Sequence, residues 1–235
     1  MNTSDLYKLF RQDVVDLEEP YLWSNLEVFS YMDDAQITFC RYGVGIGDVT
    51  TDEVVRVPVV EGQEYADIHE SILTIRKAEL VSTNREISVM NLLESPQHDS
   101  DYGSVFSSST QHRPGPVRGI VVGEEYNKVR WVGVPQQSDE VLLSVYRLPL
   151  CAITGPDQNF EIRREHHRTL LDWMKHLAYG KQDAETFDKT KSIEHYEKFM
   201  ASCAKAREEW ERYKHKPRTI QYGGIGGNFG GGDCY

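Results

Sequence analysis

Trp23-Ser24-Asn25-Leu26-Glu27-Val28 is the stretch from which the fold can first be read. A serine three residues ahead of a glutamate forms a capping box: the hydroxyl oxygen accepts the N–H of Glu27, and the Glu27 carboxylate accepts the N–H of Ser24. Trp23 and Val28 take the two positions of a hydrophobic staple, which sets how the chain enters the helix. Val28, Phe29, Met32, Gln36 and Phe39 continue along one face, and Gly43, Gly45 and Gly47 end it. Upstream, Leu6, Leu9, Phe10, Val14 and Leu17 recur at three- and four-residue steps. They predict a first helix over Ser4 to Leu17, broken by Pro20.

Downstream of Thr51 the period changes. Val54 to Val60 is β-branched and too short for a helix, and Pro58 within it predicts an edge strand. Runs at Ile72–Val81, Arg85–Val89, Val117–Val122, Lys128–Val134 and Val141–Leu148 follow. The last alternates Val141, Leu143 and Val145 against Leu142, Ser144 and Tyr146. About six antiparallel strands in a small sandwich or barrel are expected. Residues 94–116 show no periodicity and exceed the roughly 12–15 residues usual for a loop in a compact domain. Such a segment is either disordered or ordered by a neighbour.

Helices return after Pro156. Leu170, Leu171, Trp173, Met174, Leu177 and Ala178 form one apolar face, stopped by Gly180. A longer helix, from Asp188 to His215, carries Ile193, Tyr196, Met200, Cys203, Arg207 and Trp210 at helical steps and would reach roughly 40 Å. Pro217 stops it. The glycine-rich remainder forms no stable helix of its own, because each glycine costs about 1 kcal/mol relative to alanine. Its aromatic residues Tyr222, Phe229 and Tyr235 lack a core. The arm is either unstructured or laid extended along a partner, as in strand addition. The expected class is therefore α+β. Residues 1–50 and 155–216 form a helical bundle, 51–152 an inserted antiparallel β module, and 217–235 an extended C-terminal arm.

Composition narrows the function. A hydrophobic content of 39% is that of a soluble globular protein, with no apolar run long enough to span a membrane and no secretory signal at the start. The net charge of −11 disfavours tight DNA binding, which needs clustered Lys and Arg on phosphates. An acidic wall past which DNA slides is compatible with it. Cys40, Cys151, Cys203 and Cys234 are scattered, so reduced thiols are expected rather than a zinc site or a disulfide framework. Cys40 and Cys203 fit buried packing.

Catalytic patterns are missing. The tail lacks the lysine and following helix of a phosphate-binding loop. Gly43-Val44-Gly45-Ile46-Gly47 follows a helix, where a dinucleotide fingerprint would follow a strand. His166, His167 and His176 fit neither metal-ligand spacing on a helix. No G-x-S-x-G elbow surrounds Ser107-Ser108-Ser109. No cofactor, no metal and no enzymatic activity are expected. A metal-dependent hydrolase using the three histidines is kept as a remote alternative.

The order of signals resembles the tail-adaptor (head-to-tail connector) family of tailed phages. The resemblance rests on Leu22–Val28, Tyr31–Gln36, Val57–Tyr65, Leu73–Ala78, Leu143–Leu150 and His167–Asp188, and covers about residues 5 to 225. It implies a virion structural protein of the neck, assembled in the host cytoplasm, that forms a ring, usually of twelve copies, under the portal. DNA passes through such a ring without specific binding, and tail or nozzle proteins dock below. In related adaptors a C-terminal helix and arm clamp the portal. By position the matching residues are Arg207, Trp210, Arg218, Ile220 and Tyr222, with Ile225, Phe229 and Tyr235 extending the grip. A tail-tube or gatekeeper component that never touches the portal is the other reading.

Overall fold

The computed structural model describes residues 1–91, 114–182 and 186–214. Four helices share one apolar core: α1 (Thr3–Asp13), α2 (Asn25–Tyr42), α4 (Leu170–Gly180) and α5 (Lys189–Lys214). A short α3 (Asp52–Val55) leads from this layer into the strands. The capping box at Ser24 forms in both directions, and Trp23 and Val28 are buried as a staple requires. The Trp23 indole also donates to the Ala178 carbonyl at 3.2 Å, tying the entrance of α2 to the end of α4. Trp173, on the outer side of α4, donates to Asp34 at 2.7 Å and packs on Phe199 of α5.

Two helical expectations need correction. First, α1 stops at Asp13 instead of running to Leu17. Asp16 is buried, ion-pairs with Arg11 and accepts the N–H groups of Leu22 and Trp23, while Val15 adopts a positive φ of 58°. These polar contacts turn the chain away and leave Leu17 in solvent. Second, the buried face of α5 is Ser192, Phe199, Cys203 and Ala206. Ile193 and Tyr196, expected on the packed stripe, are exposed. Small residues at the contact allow α4 to approach closely, and an apolarity count gives them little weight.

Eight strands form one curled, mixed sheet, a half-barrel. They are β1 (Ile46–Asp48), β2 (Arg56–Val59), β3 (Tyr65–Asp67), β4 (Ile72–Leu80), β5 (Arg85–Asn91), β6 (Gly119–Val122), β7 (Lys128–Val132) and β8 (Asp139–Arg147). Their order is β1-β8-β4-β5-β6-β7-β3, with β2 also pairing β8. Six strands were expected; the additional two, β1 and β3, have three residues each, too few to show a period. Val54 and Val55, expected as strand, form the end of α3.

The expected antiparallel pairing holds everywhere but β5–β6, which is parallel. Parallel neighbours need a long crossover, and residues 92–118 provide the length. Most of the 94–116 segment lies outside the described residues. Gly119 is required at this pairing, because a Cβ there would sit 2.9 Å from the Ser88 carbonyl oxygen. Pro58 behaves as an edge residue, since β2 pairs with β8 alone and its missing N–H deprives no neighbour.

The inward residues of β8, Val141, Leu143 and Val145, are buried as their alternation predicts. With Val54, Ile75, Ile120, Trp131 and others they fill a second core separate from the helical one. Trp131 is buried there with no hydrogen-bond partner for its indole N–H among the described residues. Arg147 connects the two cores. It bonds Asp48 of β1 at 2.6 Å and Glu161 of the segment leading to α4 at 2.7 Å. No helix among the described residues is long and apolar enough to cross a membrane.

Candidate functional site

Beyond Ala206, its last buried residue, α5 leaves the helical core and lies over the sheet. Trp210 makes the attachment. Its indole N–H donates to the Tyr146 hydroxyl at 2.9 Å, and the two rings meet edge to face with centroids 6.2 Å apart. Tyr213 stacks on the same indole at 5.3 Å, and the Arg163 guanidinium covers it at 4.9 Å. Arg76 and Lys214 lie over the Tyr146 ring at 5.0 and 5.3 Å. Cation–π contacts of this kind contribute about 0.5–1 kcal/mol each at exposed sites.

Local sequence explains the construction. Tyr146 follows Val145 on β8, so the alternation that buries Val145 turns Tyr146 outward. Gly45 lets the lead into β1 pass beside it, since a Cβ there would be 3.1 Å from the Tyr146 Cβ. Two clefts remain on either side of Trp210. One, of about 340 Å³, runs past Phe39, Arg163 and His166. The other, of about 350 Å³, runs past Arg41, Leu73 and Arg207.

Beneath the clefts the charges are fixed. Burial opposes ionisation of Asp48, yet the N–H groups of Thr50 and Thr51 and the Arg147 guanidinium overcome it and hold the carboxyl well below the usual range. Glu161 is also lowered: burial works against its charge, and the N–H of Cys151, Arg147 and the N–H of Leu150 outweigh it. Burial pushes the Cys40 and Cys203 thiols up to about 12, which keeps them protonated and inert, as the packing reading expects. Cys151 is exposed, and Cys234 lies outside the described residues.

The histidines are engaged separately. His167 is buried, with ring nitrogens 2.9 and 3.0 Å from the Met1 and Ile162 carbonyl oxygens. His166 packs on Phe39, and its burial lowers its pKa. His176 Nδ1 lies 2.9 Å from the Ser192 hydroxyl. Among the described residues no group of three or more His, Cys, Asp or Glu side chains could hold a metal.

Of the residues expected to bind the portal, Arg207 and Trp210 fall on this seam, Arg207 exposed and Trp210 half-buried against Tyr146. Arg218, Ile220, Tyr222, Ile225, Phe229 and Tyr235 lie outside the described residues. Sequence reasoning missed Tyr146, Arg163 and Arg76. The outward position of Tyr146 could be read from the alternation of β8, but nothing local pairs Tyr146, Arg163 or Arg76 with a tryptophan dozens of residues away.

A family model described as SU10 adaptor protein matches residues 1–219. The chain belongs to this phage head-to-tail adaptor family. The SU10 adaptor match spans both cores and the whole of α5, so Arg207, Trp210 and Arg218 fall within it. The glycine-rich residues from Ile220 onward do not. Membership makes the chain a structural phage protein of tail assembly. No curated protein matches the sequence.

Proposed function

We propose that this adaptor-family chain forms a ring beneath the portal of the filled capsid. In this reading it lines part of the DNA conduit and offers the platform on which the tail is built. The observation that carries the reading is the family match through the end of α5, together with the position of that end. There α5 runs off the helical core onto an accessible face, with Arg207 exposed and Trp210 at the seam. Arg207 and Trp210, followed by Arg218, Ile220, Tyr222, Ile225, Phe229 and Tyr235, form the portal-binding set. The division of labour follows the two cores: residues 1–50 and 155–216 as scaffold, 51–152 as the projecting β module, and 217–235 as the arm.

The acidic balance of −11 per copy suits the conduit, because a ring of about twelve copies presents a field that repels phosphate. The test is to mix the purified chain with the portal dodecamer of its own phage and follow assembly by sedimentation. The adaptor joins the portal in a stoichiometric ring, and removing residues 217–235 abolishes the attachment. A chain that stays monomeric beside the portal overturns the reading. A truncated chain that attaches as well as the full one removes the arm from the portal-binding set.

A further inference from the structure

Two surfaces that no described residue covers stand at opposite ends of α2. At the N-terminal end, the connection from α1 and the first turn of α2 expose Val15, Leu17, Leu22 and Leu26, with Val15 at 80% and Leu26 at 75% of full exposure. Single exposed aliphatic residues are ordinary, but this density within residues 15–26 marks a contact surface. Glu18 and Glu19 stand among them, both exposed and with no ion-pair partner among the described residues.

At the other end of α2 are the two clefts beside Trp210, with apolar walls at Phe39, Val44 and Leu73. The acidic side chains lining them are already engaged, Glu161 by Arg147 and Glu211 by Lys214. Arg41 and Arg207 have no acidic partner among the described residues, and Arg163 has only Glu165, at 3.6 Å. A cationic, apolar-walled cleft on a chain of net charge −11 stands out from its surroundings. The 18 residues of α2 separate corner from clefts by about 27 Å, so the corner cannot reach the clefts of its own chain.

We propose that the corner of one copy seats in the Trp210 clefts of a neighbouring copy. Leu17 and Leu22 enter against the apolar walls, and Glu18 and Glu19 face Arg163 and Arg41, the cleft arginines outside the portal-binding set. Such a contact joins two different surfaces, which is the kind that propagates around a ring. The inference rests on the adaptor reading for the existence of the ring, and adds which faces meet within it.

The test uses charge reversal with rescue. Phage lacking the chain is complemented with the parent, with Glu18→Lys/Glu19→Lys, with Arg41→Glu/Arg163→Glu, or with all four changes. Each purified variant is first checked for parental near-UV circular dichroism. Opposed like charges at a contact are strongly unfavourable, so each double variant should lower the copies per particle about tenfold or more. The fourfold variant should restore them. Restoration cannot come from a portal contact, since the corner change would not repair one.

Parental incorporation by either double variant, or no rescue by the fourfold one, overturns the interface and leaves the adaptor reading standing. A parental chain absent from particles overturns both. Where a double variant fails the folding check, a photo-crosslinking residue replacing Leu17 decides. Cross-linked dimers joined to peptides containing Arg41 or Arg163 support the contact, and dimers joined elsewhere refute it.

Discussion

The two cores of this molecule are assembled from the chain in different ways. The β core takes its residues from Val54 to Val145, one continuous stretch. The helical core takes them from Leu6 through Ala206, so that its two halves flank the β module. Loop closure sets the contrast. The sheet can complete its contacts as soon as its own segment exists, whereas the helices must bring together segments more than a hundred residues apart. The helical layer, carrying the Trp210 seam, is therefore the part that depends on the whole chain being present.

The sharpest way to break this comparison is a cavity in the helical core. Phe199→Ala removes a fully buried ring and should cost about 3–5 kcal/mol. Hydrogen exchange should then accelerate in α1, α2, α4 and α5 while β4 to β8 stay protected. Equal loss in both layers would erase the distinction. The junction gives an effect of similar size: Arg147→Ala leaves Asp48 and Glu161 without their cation and should cost about 3–5 kcal/mol in chemical denaturation. It should also loosen exchange on both sides of the junction, where Phe199→Ala acts on one.

A smaller effect comes from pH. Asp48 and Glu161 have folded-state pKa values below their ordinary 3.8 and 4.5. Their contribution is therefore complete above those ordinary values and is lost as pH falls through them toward the folded ones. Thermal melts between pH 7 and 3 should show the decline starting near pH 4.5, with a shallower slope in Arg147→Ala. Ser24→Ala removes the acceptor for the Glu27 N–H and should cost about 1 kcal/mol, confined to the helical layer. Least of all, a thiol reagent on the native protein should modify Cys151 and spare Cys40 and Cys203 until the helical core opens.

Much of the fold was legible wherever a signal was local. The Ser24–Glu27 box and the Trp23–Val28 staple positions lie within six residues; the box forms, and both staple side chains are buried. The alternation along β8 placed Val141, Leu143 and Val145 inward correctly. What escaped is non-local or polar. The early end of α1 is set by a buried carboxylate, Asp16, which no apolar period registers. The parallel β5–β6 pair depends on a crossover without a pattern of its own, and the true face of α5 turns on Ser192 and Ala206. The seam was half visible: Trp210 was marked by position, while its partner Tyr146 was seen only as an outward strand residue.

The four indoles are distributed one to a station: Trp23 at the corner, Trp131 in the sheet interior, Trp173 on the outer helical face and Trp210 at the seam. Light emission from an indole shifts to the red as surrounding dipoles relax around its excited state, so each station carries its own colour. Trp131, buried and with no hydrogen-bond partner among the described residues, should be the bluest, and Trp210, half exposed beside a phenol and a guanidinium, among the reddest. Replacing the other three with phenylalanine would leave a chain whose glow follows a single place, and an event at the seam could be watched without attaching a dye.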